Sequence, residues 1–104
     1  MSRAERIKVK VTARDGVAPR TLLAAIRDYT TDRNPWTVRT RRPLVLSHAS
    51  RRADGVRFAL AADRGEVWLV IQGGGARLAL AYAATLLANT RFADLIESFT
   101  VELP

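Results

Sequence analysis

The chain has 104 residues, 48% hydrophobic and 26% charged, with a formal net charge of +7. A chain of this size buries only around two thirds of its unfolded surface, room for one core and one or two modest clefts, which excludes large cofactor-binding architectures. With no cysteine and a single histidine, a disulfide framework, a thiolate nucleophile, Cys-ligated zinc and a multi-His metal centre are excluded as well.

The charge is unevenly placed. Residues 1–64 hold 15 of the 17 basic side chains against six acids, whereas residues 65–104 hold Arg77 and Arg91 against four. All but Lys8 and Lys10 are arginine, whose planar fork suits phosphate and carboxylate. An Arg-rich, Ala-rich, Lys-poor composition is also what a GC-rich genome writes everywhere, so the clustering is informative and the choice of arginine is not. The segment starting at Met1 lacks the apolar stretch of a signal peptide, and the longest apolar run, Leu78 to Ala88, is about half a membrane span. The expectation is a cytoplasmic protein with no membrane partner.

Ile7, Val9, Val11 and Ala13 alternate with Lys8, Lys10 and Thr12, which predicts a first strand with one buried and one basic face. Asp15-Gly16 breaks it. Pro19 suits a first helical turn, and Leu22, Ala25, Ile26 and Tyr29 share one helical face, so a helix is predicted over 19–30. From Thr31 to Asp54 the pattern degrades: Asn34-Pro35 marks a turn, Val38 to Arg42 has the makings of a polar strand, Pro43 interrupts any central ladder, and Leu44 to Leu46 is a short apolar run. This stretch reads as a basic arm or edge strand.

Val56 to Ala62 and Glu66 to Gln72 form the clearest local pattern. If Arg64 and Gly65 are the two turn residues, Phe58 faces Ile71, Leu60 faces Leu69 and Ala62 faces Val67, and every large apolar side chain except Trp68 and Val70 lands on one side. The other side carries Arg57, Ala59, Ala61, Trp68, Val70 and Gln72, far less polar than a solvated face. Gly73 to Gly75 stops the strand. Ala76 to Asn89 then reads as a helix that is apolar nearly all round and so buried on more than one side, and the alternation of Phe99, Val101 and Leu103 with polar residues is a closing strand.

The order strand, helix, basic segment, hairpin, helix, strand predicts one α+β domain over residues 1–104. Its expected form is a two-layer sandwich, with a ferredoxin-like (split βαβ) sheet, two helices on one face and the arm or edge strand inserted after the first helix. That layout serves many unrelated functions, so the residues must carry the functional argument.

Arg33, Arg39, Arg41, Arg42, Arg51, Arg52 and Arg57 stand within 25 residues of chain that hold one acid, Asp54. Clustered cations gain affinity for a nucleic acid backbone by releasing counterions, and they also keep a sheet edge from pairing with its own kind. Trp36, beside Arg39 and Arg41, suits either a stacked base or the end of a small core. Lys8, Lys10, Arg57 and Trp68 would share the open sheet face, where RNA-binding sheets present two or three aromatics and this chain only one. Trp36, Trp68 and Val70 are therefore read as interface residues for another protein or a second copy.

The glycine run before Arg77 suggests a phosphate loop, but neither G-x-G-x-x-G in its context nor a Gly-Lys-Ser/Thr ending is present, and a flexible crossover is the simpler use. His48 has serines nearby without the arrangement of a nucleophile and its base, and the carboxylates are scattered. No catalytic residue, metal or cofactor is expected. The function expected is that of a small non-catalytic basic module binding nucleic acid or another polyanion, such as an acidic protein surface, through the arginine-rich arm. The alternative is an assembly subunit, in a homo-oligomer or larger complex, that uses the apolar sheet face and the second helix.

Overall fold

The alternation of Ile7, Val9 and Val11 with lysine builds β1 (Glu5–Ala13), whose apolar side chains are buried while Lys8 stays exposed. The structure is a computed structural model and describes residues 5–103, so the first four residues of the N-terminal segment lie outside it. Helix α1 (Pro19–Thr30) starts on Pro19 and buries Leu22, Ile26 and Thr30, one side chain per turn on a single stripe. Its end is closed by threonines: the Thr30 hydroxyl donates to the Ile26 carbonyl at 2.8 Å, and Thr31 donates to that of Arg27 at 2.6 Å.

The stretch expected as a basic arm or edge strand is a two-stranded hairpin, β2 (Trp36–Arg41) and β3 (Leu44–His48), that extends the sheet with β2 as its edge strand and is no free arm. It has its own share of the core, since Trp36, Leu44 and Leu46 are all buried. Pro43 is compatible with pairing because it sits between the strands, where no ladder donor is needed. A 3-10 turn, Arg51–Ala53, leads into β4 (Arg57–Asp63), and β4 pairs with β5 (Glu66–Gly73) through Phe58 and Ile71, Leu60 and Leu69, and Ala62 and Val67, the predicted register.

Helix α2 (Ala76–Leu87) is shorter than the apolar run suggested, because Asn89 caps a following 3-10 turn, Thr90–Phe92, by accepting from the Arg91 N–H. The last strand is β6 (Ile96–Glu102). All six strands form one sheet in the order β2-β3-β4-β5-β1-β6, and every neighbouring pair is antiparallel. The result is a small compact α+β domain with a six-stranded antiparallel sheet and two helices. Side chains from both helices join one core with Ile7, Val9, Phe58, Leu60, Leu69 and Ile71, all from the same face of the sheet. The opposite face has no second layer on it among the described residues. No helix among those residues is long and apolar enough to cross a membrane.

The glycine run has a packing reason. A Cβ on Gly73, whose φ is +141°, would lie 2.9 Å from the Val56 Cα, and one on Gly75 would lie 2.8 Å from the Arg52 carbonyl oxygen. The chain entering β4 therefore runs directly against the start of α2, and backbone atoms on both sides cannot give way. At Gly74 nothing lies within 4 Å. Gly73→Ala and Gly75→Ala should each cost about 1–3 kcal/mol in denaturant unfolding, whereas Gly74→Ala should stay within about 0.5 kcal/mol. Equal losses at all three positions would refute the close-approach explanation.

Candidate functional site

The seven arginines singled out in the sequence do not form one surface. Arg41 and Arg42 lie at the tip of the β2–β3 hairpin, with Arg39 exposed at a bulge just before it. Arg51 and Arg52 are at the far end of β3, a strand of five residues rising about 3.3 Å each, so on the order of 15 Å away. Arg57 is on the open face, in a row with Gln72 and Arg6. Arg33 lies over the Tyr29 ring at 4.7 Å, a ring that Arg91 also approaches at 5.9 Å.

Arg41 and Arg42 instead meet two arginines from α1. Arg20 and Arg27, with Leu23 and Ala24 between them, follow the i, i+3, i+4, i+7 spacing of one helical stripe next to the buried one. That stripe and the hairpin tip enclose an open cleft of about 590 Å³, with Pro43, Leu44 and Leu60 supplying apolar lining. The bulge brings Arg41 there. Before it Trp36 and Val38 pair with His48 and Leu46 and point to the helix side; the extra residue shifts the alternation, so that Arg41 pairs with the buried Leu44 and takes the same side.

Of the four arginines only Arg27 has a carboxylate within ion-pair distance among the described residues, Asp28 at 3.5 Å. Asp28 and Asp32 border a neighbouring hollow that shares Arg27, Arg41 and Arg42. Arg20, Arg41 and Arg42 are exposed cations in a concave site with apolar walls, where the attraction for an anion is larger than on a convex surface. Arg20 and Arg27 did not figure in the sequence reading. Their spacing on the predicted helix was the available signal, but which stripe faces the hairpin depends on tertiary packing.

Trp36, expected at an interface, belongs to the core. Its ring is 7% exposed and meets His48 at 4.8 Å and Phe58 at 4.9 Å, both edge to face. Trp68 and Val70 are half-buried on the open sheet face, in cross-strand rows with Ala61 and Lys10 and with Ala59 and Lys8 respectively. Trp68 stands outside the core and outside the side chains packed on it. Lys10 is held by Glu66 at 3.2 Å.

The chain matches no family model, curated protein or solved structure in comparison.

His48 and Ser50 are both committed elsewhere. His48 Nδ1 accepts from the Ser50 backbone N–H at 3.1 Å, its ring stacks on Tyr82 at 4.1 Å, and the Ser50 hydroxyl bonds the Tyr82 hydroxyl at 2.8 Å. The two side chains are not hydrogen-bonded to each other as a nucleophile and its base would be. Among the described residues no cluster of three His, Asp or Glu side chains is spaced to hold a metal ion.

Burial lowers the His48 pKa from its usual 6.5 by disfavouring the charged ring. The unfolded chain therefore takes up the proton first as pH falls, so His48 favours folding above the unfolded value and this contribution is lost as pH drops through the folded one. Between about pH 7 and pH 5 the melting temperature should fall more in the parent than in His48→Phe, which keeps a ring against Tyr82 but cannot titrate. Parallel profiles would show that the imidazole is not responsible.

Proposed function

We propose that the chain is a non-catalytic module that binds nucleic acid, gripping phosphates in the cleft between α1 and the β2–β3 tip. The observation that carries this reading is the convergence of Arg20, Arg27, Arg41 and Arg42 from two separate elements on one concave site, with a single carboxylate partner among them. Bidentate guanidinium donors suit phosphate oxygens, and the release of condensed counterions supplies the affinity. A cysteine-free chain fits a reducing cytoplasmic setting.

The architecture in this proposal is ferredoxin-like (split βαβ), with the β2–β3 hairpin added at one edge. The sheet order β4-β5-β1-β6, with a helix in each crossover, supports it. A second reading, self-association, is favoured by the outer edge of β6, where Val101 is 39% and the adjoining Leu103 56% exposed, and by Leu78 on α2 at 67%.

Salt separates the two. Binding of a labelled oligonucleotide should fall linearly with salt on a log–log scale, and the combined Arg20→Ala, Arg41→Ala and Arg42→Ala variant should flatten the slope by about 2, given roughly 0.7 per phosphate contact on a single strand. The same variant should keep its melting temperature, because exposed charges contribute little to stability. Binding that is insensitive to salt, or unchanged in the variant, would overturn the reading, and an acidic protein surface or a second copy would then be the partner to test.

A further inference from the structure

The arginine cleft continues onto the other side of the sheet. Ala61 lines both that cleft and a second one of about 430 Å³ on the open face, where Trp68 and Val70 lie among Arg6, Lys8 and Arg64. The strand lengths join the two. β3 pairs with β4 only from Leu44 opposite Leu60 to Leu46 opposite Phe58, so Ala61, Ala62 and Asp63 extend past it as an exposed edge. A flexible ligand can pass over this edge from the helix side to the open side.

We infer that this track takes a single-stranded nucleic acid, its backbone in the arginine cleft and one base on the indole of Trp68. The inference rests on the nucleic-acid reading above and specifies its substrate. Trp68 has Ala61 as one cross-strand neighbour, too small to cover a ring face, and Lys10 as the other. Lys10 is turned to Glu66, which neutralises one of the two acids of this cleft; Asp63 at the turn is the other, against the cations Arg6, Lys8 and Arg64. A large aromatic left partly bare among cations is the combination on which bases stack, and such a contact changes affinity roughly tenfold per base. The bend selects the single strand. A duplex stays stiff over about 150 base pairs and cannot turn over the edge of one strand, whereas a single strand can.

Trp36 is buried in the core, so changes in tryptophan emission on ligand addition report Trp68. The full chain is titrated with short oligo(dT) and oligo(U), an abasic strand of the same length, a duplex, and heparin. The expected result is quenching by both oligonucleotides, with binding roughly tenfold tighter than to the abasic strand or the duplex. Trp68→Ala should remove the preference over the abasic strand while leaving salt-dependent heparin binding, and Trp68→Phe should retain part of it, which guards against a folding defect in the alanine variant. Preference for only one of the oligonucleotides would also support the inference. If abasic strand and duplex bind as tightly as oligo(dT) and the emission does not move, single-strand stacking is overturned while the nucleic-acid reading stands. If neither heparin nor any oligonucleotide binds at low salt, both fall.

Discussion

Arg64 and Gly65 both have positive φ, 52° and 78°, and turn the chain between β4 and β5 in two residues. This backbone matches the twist of the flanking strands and leaves one register for the hairpin. Slipping that register by one residue would put Phe58 and Leu60 on the same face as Trp68 and Val70, opposite Leu69 and Ile71, and so split the apolar set of the hairpin between the two sides. β1 pairs with β5 through Ile7 and Ile71, Val9 and Leu69, and Val11 and Val67, and β3 pairs with β4 through Leu46 and Phe58, so both inherit their facing from this turn. The arginine cleft and the Trp68 cleft lie on opposite sides of the sheet for the same reason.

Elements governed by local periodicity could be read directly from the chain. The range of α1, the alternation of β1 and the pairing of the central hairpin all depend on residues within a few positions of one another. The β2–β3 hairpin could not be read this way. Its first strand is rich in arginine and threonine on the outside, and the core residues Trp36, Leu44 and Leu46 acquire their burial from Phe58, His48 and the sheet, which are distant in sequence or hidden behind a bulge. Charged neighbours left Trp36 open to an interface reading beside that of the end of a small core, and its ring is a core one.

The site was legible in composition and not in place. The excess of cations before residue 64 was visible, and Arg41 and Arg42 were among those singled out, but their partners Arg20 and Arg27 precede the irregular stretch and reach the same cleft only because α1 packs beside the hairpin tip. The glycine run shows the opposite error. Its resemblance to a phosphate loop comes from composition, while its cause is the passage of residues 52–56 against the helix start.

The strand order places β2 and β6 at opposite edges, five spacings of about 4.8 Å apart, on the order of 24 Å across the sheet. β2 carries Arg39 and Arg41 and is followed by Arg42, whereas β6 carries Glu97 and Glu102 and no basic residue. The domain is thus an electric dipole lying in the plane of its own sheet, superimposed on its positive net charge. In the field of a polyanion it feels a torque as well as an attraction, and it approaches hairpin first with β6 turned away.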